Sequence, residues 1–170
     1  LLQREVAIAP GEHAPALEDR LARVGAALLV RTLRGLMADS LTSRPQDHAR
    51  ATLAPLLSRT DGEITPELSA AEIEGRVRGF DPWPGVWLFR AGKRLRLVDA
   101  RALEGTAPGP PAGSLIELTR EGLLMACGRD TRLLLLRVQP EGGKPLAVRD
   151  AVNGRHLRVG DRLEAAAAQV

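Results

Sequence analysis

The 170-residue chain has no tyrosine, two tryptophans, two phenylalanines and a single cysteine. Aromatics at 2% argue against a surface that reads single strands by stacking successive bases. One cysteine, Cys127, excludes a disulfide framework and a multi-cysteine zinc site, and fits a reducing compartment. No apolar run approaches the ~20 residues of a membrane helix. Arg4 and Glu5 interrupt the first apolar stretch and no cleavage pattern follows, so the start does not read as a signal peptide. The expected location is therefore the cytoplasm. There is no initiator methionine either; the opening Leu1-Leu2-Gln3 reads as the start of a fragment.

What is present is ordinary for a globular protein, with 44% hydrophobic and 26% charged residues. A chain of this length buries roughly 70% of its unfolded surface if it folds as one domain, without covalent staples. Charge is uneven. Residues 1–75 hold 8 arginines against 11 acids, whereas residues 76–170 hold 16 basic residues against 10 acids. Lys93 and Lys144 are the two lysines; every other cation is arginine, whose planar fork suits phosphate. A basic second half favours a polyanionic partner, with a solvated arginine surface as the plain alternative.

The alternation from Leu1 to Ile8 predicts a strand, with Leu2, Arg4, Val6 and Ile8 on one side. Leu17, Leu21, Val24, Leu28 and Leu36 recur at helical spacing and predict a long helix from about Ala14 or Pro15 to Ala38. Pro15 suits its first turn, and Glu18 and Asp19 are expected to complement the positive end of its dipole. Residues 39–66, punctuated by Pro45, Pro55 and Pro66, sustain no period and read as a connector. Ser69-Ala70-Ala71-Glu72 is a capping-box pattern opening a second helix, whose apolar stripe is Ile73, Val77 and Phe80 and which Pro82 and Pro84 end.

Short strands follow. Val86 to Arg90 and Lys93 to Val98 flank Ala91-Gly92 as a hairpin, and Ser114–Leu118, Gly122–Cys127 and Thr131–Val138 continue the series. A short helix is expected over about Val148 to Asn153, with Gly154 as a left-handed cap, then a last strand region Leu157–Leu163 and an alanine tail over residues 165–168. Several strands at this spacing suggest a small closed or partly closed β-barrel.

No catalytic constellation emerges from the side chains. His13, His48 and His156 stand apart from one another and from Cys127, and each reads as a surface residue. Cys127 follows an apolar run and reads as a buried, inert thiol. Asp150, Asp161 and Glu164 are interspersed with Arg149, Arg155, Arg158 and Arg162 and read as solvated or ion-paired. No metal site is expected.

One segment is more specific. Glu72-Ile73, then Arg76-Val77-Arg78-Gly79-Phe80, runs into Asp81-Pro82-Trp83-Pro84-Gly85-Val86-Trp87. This resembles the entry to the C-terminal domain of methionyl-tRNA formyltransferases, where a helix meets a Pro-Trp-Pro-Gly corner and the first barrel strand. Leu123 to Gly128, Asn153-Gly154-Arg155 and Gly160-Asp161-Arg162-Leu163 agree with the family in order and spacing, as do Leu1 to Glu5 and Leu41 to Pro55. The resemblance covers essentially the whole chain.

It implies an α+β organisation. Residues 1–40 would be the terminal strand-helix piece of a Rossmann-like formyltransferase domain, residues 41–66 a linker, and residues 67–170 a small OB-like β-barrel. The whole enzyme would move a formyl group from its co-substrate 10-formyltetrahydrofolate to initiator methionyl-tRNA. Its Asn, His, Asp catalytic set and folate site would lie before Leu1, so no residue here is catalytic or cofactor-binding, and this part alone would be inactive. Its role would be to dock tRNA, as a monomer with no membrane contact. The family's linker often carries two basic residues; Arg59 keeps the second and Leu56 stands at the first. Lys93, Arg94 and Arg96 on the hairpin, and Arg149, Arg155 and Arg158 near the end, are the other phosphate candidates. The alternative is that the barrel serves another enzyme of the superfamily, acting on a sugar nucleotide or hydrolysing formyltetrahydrofolate. Its arginines would then be plain surface.

Overall fold

The computed structural model describes residues 1–166, so residues 167 and 168 of the expected alanine tail lie outside the described residues. The chain divides into two compact units, Leu1–Leu56 and the part from Leu57 onward.

The first unit is built on one long helix, α1 (Ala14–Met37), close to the expected span. Pro15 stands in its first turn, where a missing amide costs nothing. Glu18 and Asp19 fall just beyond that turn, and the charge at the entry is supplied differently. Arg20 reaches back to Glu12 at 2.6 and 2.9 Å and to the Ala7 carbonyl at 2.7 Å. Glu12 is held below its usual carboxylate range by this bond and by the Ala9 amide. The apolar stripe of α1 stays accessible within the unit, with Leu21, Leu29, Leu33 and Leu36 all exposed. The strand expected over Leu1–Ile8 does not form. A strand is made by ladder bonds to a neighbour, and among the described residues none pairs with this segment.

The second unit begins with a 3-10 turn, Arg59–Gly62, and α2 (Ala70–Gly79). Ser69 caps α2 as its sequence requires: the Glu72 carboxylate accepts from the Ser69 amide at 2.8 Å and from its hydroxyl at 2.6 Å. Ile73 and Val77 point into the core from this helix. Six strands form one antiparallel sheet: β1 (Val86–Arg90), β2 (Lys93–Leu103), β3 (Leu115–Leu118), β4 (Leu123–Ala126), β5 (Arg132–Pro140) and β6 (Leu146–Ala147). The order is β1-β2-β5-β4-β3, with β6 beside β4 on the free edge of β5. Ala91 and Gly92 both have positive φ, 48° and 75°, the geometry of a tight hairpin turn.

On β2, Leu95 and Leu97 face the core, and a register shift at Asp99 then moves Ala100 into that face. Since side chains alternate strictly along a strand, only such a bulge lets odd and even positions share one face. The core gathers Leu88, Leu97, Leu115, Leu123, Met125, Leu133, Leu135 and Val138 with Ala151 from α3 (Val148–Asn153), while α2 lies against β2 and β5. Cys127 is buried, and burial pushes its thiol up to about 12.

The expected last strand over Leu157–Leu163 is instead a turn followed by two isolated bridges, Ser114 with Arg162 and Phe89 with Glu164. The strand order itself leaves the sheet open, with β1 and β3 as its edges. The residues from Gly160 to Glu164 bond to both. Gly160 and Leu163 donate to the Leu115 and Gly113 carbonyls at 2.8 Å, and Phe89 and Glu164 exchange two bonds of 2.8 Å.

Gly154 is not left-handed; its φ is −75° and Arg155 takes the positive value, 61°. The α3 exit places that position one residue further on. The Arg155 amide donates to the Val152 carbonyl at 3.0 Å, and that of His156 to Ala151 at 2.8 Å, the paired bonds of a Schellman ending.

Candidate nucleic-acid interface

Two strands and one turn build the outer face of the β1–β2 hairpin. Trp87 pairs with Arg96 and Phe89 with Arg94, so both aromatics and both arginines share that face. The Arg94 guanidinium lies 5.7 Å from the Trp87 ring centre and 5.9 Å from that of Phe89, and Arg96 lies 5.9 Å from Trp87. Stacking on an aromatic holds a guanidinium in a fixed plane. Both arginines also have partners within the chain. Arg94 donates to Glu63 at 2.7 Å. Arg96 donates to the Pro82 carbonyl at 2.7 Å, with the Asp81 carboxylate 3.7 Å away.

At the hairpin tip the sheet opens into a cleft of about 550 Å³. Lys93 and Arg94 line it from the tip, Glu141 and Lys144 from the turn after β5, and Arg155 and His156 from the end of α3. Arg90 also borders it, bonded at 2.9 Å to the His156 carbonyl and at 2.6 Å to Asp161. The hairpin candidates Lys93 and Arg94 and the C-terminal candidate Arg155 thus meet across one opening. Arg155 is exposed there, on the left-handed residue that follows α3.

The remaining candidates lie elsewhere. Arg59 opens the 3-10 turn and is exposed. Arg149 is committed to carbonyls, donating to Thr119 at 2.7 Å and Arg120 at 3.4 Å and so tying α3 to the β3–β4 turn. Arg158 is exposed, and its amide donates to Asp161 at 2.6 Å. Reasoning from sequence passed over Lys144 and His156. The signal was there in part, because Lys93 and Lys144 are the chain's two lysines and both come to this cleft. Among the described residues, no group of three histidine, cysteine, aspartate or glutamate side chains could hold a metal ion, and no helix is long and apolar enough to cross a membrane.

A concave site with several cations, one acid and few apolar walls can do one thing well: hold an anion that carries charge along its length. It offers neither a nucleophile with an adjacent base nor a paired acid and base.

Residues 56–156 match the family model described as "Formyl transferase, C-terminal domain". A protein of Koribacter versatilis named methionyl-tRNA formyltransferase is 42% identical over 164 residues, which span 96% of this chain and 51% of that protein. One of the same name from Desulfotalea psychrophila is 40% identical over 148 residues, 87% of this chain and 45% of that protein. Another, from Roseiflexus sp. strain RS-1, is 38% identical over 170 residues, 100% of this chain and 52% of that protein. The chain spans about half the length of the curated relatives it matches.

Proposed function

The chain belongs to the formyl transferase C-terminal domain family, and on that premise we propose that it is the C-terminal part of an enzyme that transfers a formyl group from 10-formyltetrahydrofolate to the amino group of methionyl-tRNA. The observation that carries this reading is the match along nearly the whole chain, at 38 to 42% identity, to proteins named for that activity. The formyl donor is a co-substrate of the whole enzyme, and the chain contributes no catalytic group.

Its contribution is to hold the RNA. Lys93, Arg94 and Arg155 at the cleft, joined by Lys144, take consecutive backbone phosphates; Arg59, Arg96, Arg149 and Arg158 extend the positive surface beside them. Such contacts orient a nucleic acid without reading its sequence. Holding the methionyl amine near the formyl donor makes the transfer effectively unimolecular, which is the rate advantage a docking part can supply. Initiator tRNA is the expected partner, and the enzyme works as a cytoplasmic monomer.

The reading extends to architecture. Residues 1–40 form the closing piece of a Rossmann-like catalytic domain, residues 41–66 its linker, and residues 67–170 an OB-like barrel. The backbone bonds from Gly160–Glu164 to both edge strands support closure of that barrel by its last segment.

The test is made on the intact protein, supplied with 10-formyltetrahydrofolate and methionyl-tRNA. Formylation of the tRNA is expected. Turnover of a sugar-nucleotide amine, or hydrolysis of the folate without transfer to tRNA, would overturn the proposal. Replacing Lys93 and Lys144 together with alanine should then lower the slope of log affinity against log salt by roughly two, one per phosphate lost.

A further inference from the structure

Trp83 is 57% exposed, although it stands between two prolines and Pro84 is buried. The backbone on either side of it is fixed. The Gly85 amide donates to the Phe80 carbonyl at 2.9 Å, closing the corner, and Arg96 donates to the Pro82 carbonyl at 2.7 Å. The other tryptophan is occupied differently: the Trp87 indole donates to the Pro84 carbonyl at 3.2 Å, and two guanidinium groups lie over its ring. Among the described residues no cation is stacked on Trp83. Its indole is offered to solvent beside Arg96 and just after Arg76, an exposed cation in the last turn of α2.

A large flat ring on a pinned backbone loses little freedom on binding, and cations to either side of it favour a ligand that combines a π face with negative charge. We infer that Trp83 is the stacking point for one unpaired base of the RNA whose phosphates the cleft takes, with Arg76 and Arg96 meeting the phosphates beside that base. This inference rests on the tRNA reading above and adds to it an uncharged contact. The low aromatic content argues against a platform of successive stacked bases; a single point is a different device. The corner and the cleft lie at opposite ends of the five-residue strand β1, about 17 Å apart by strand rise, so one RNA molecule can touch both.

Charge and stacking separate cleanly in a salt titration. Losing a phosphate contact changes the slope of log affinity against log salt, whereas losing a stacked base lowers affinity equally at every salt concentration. In the intact protein titrated with methionine-accepting tRNA, Trp83→Leu should weaken binding about tenfold at all salts with the slope unchanged. Trp83→Phe, which keeps a ring, should recover most of that loss. The tRNA should also shield from acrylamide the part of the tryptophan emission that Trp83→Phe removes. Wild-type affinity in Trp83→Leu, a changed slope, or unshielded Trp83 emission on saturation would each overturn the inference while leaving tRNA docking in place. If the wild-type protein binds no tRNA at all, the functional reading fails and this inference falls with it. Shielding of Trp83 by a protein and not by tRNA would assign the corner to a protein partner and overturn it too.

Discussion

Arg94 lies flat between two obligations: its guanidinium stacks over Trp87 and donates to Glu63 at 2.7 Å. Both side chains of this pair are about a quarter exposed, so water and salt screen it, and its worth is on the order of 0–1 kcal/mol. A phosphate approaching Arg94 must compete with that carboxylate. Glu63→Gln keeps the shape and removes the competing charge. It should raise tRNA affinity by up to about fivefold in a filter-binding titration while changing unfolding free energy by less than about 1 kcal/mol. Unchanged affinity would show that Arg94 meets no phosphate.

Arg155 holds a position at which a side chain is strained. Its φ of 61° costs an L-residue roughly 1–2 kcal/mol, a cost glycine avoids. Arg155→Gly should therefore raise the midpoint of thermal unfolding, while tRNA affinity falls and the salt slope decreases by about one. A stabilised variant with full affinity would place the cation outside the interface.

The cap of α2 supplies a pH dependence with a definite sign. Two hydrogen bonds from Ser69, reinforced by the charges of Arg129 and Arg76, hold the Glu72 carboxyl below its usual range. A depressed carboxyl contributes stability that is present above the ordinary carboxylate range and is lost as pH falls through the lowered value. Ser69→Ala should cost about 1 kcal/mol at neutral pH, read from urea unfolding. Its stability curve should converge with that of the wild type in acid, where Glu72 is protonated in both.

Cys127 should be silent toward thiol reagents in the native protein. The thiolate is the reactive form, and burial raises this thiol from 9.0 to about 12. Iodoacetamide at pH 8 should label it only as fast as the domain opens, and rapidly in denaturant. Because the folded state resists losing this proton, stability should decline as pH rises from about 9 toward 12.

What the sequence made legible was local. Ser69 and Glu72 announce their helix because both halves of a capping box lie within four residues. Ala91-Gly92 marks its hairpin because a tight turn demands positive φ at adjacent positions. The cleft could not be read in the same way: Lys93, Lys144 and Arg155 are brought together only by the path of β2, β5 and α3. The parity change on β2 was hidden for a related reason, since a bulge is defined by the partner strand and not by the bulged one. Leu1–Ile8 has a strand's alternation without a strand's neighbour. Alternation specifies which face is buried; pairing alone makes a strand.

The bonds that Gly160–Glu164 makes to both sheet edges carry an implication for synthesis. Strand edges left with free amides and carbonyls are templates for pairing with other chains. A nascent chain emerges from its N-terminal side, so both edges are made long before the segment that covers them. A ribosome stalled anywhere between Leu118 and Gly160 would therefore hold a sheet with two sticky borders, and release of a truncated product at such a stall would favour aggregation over folding.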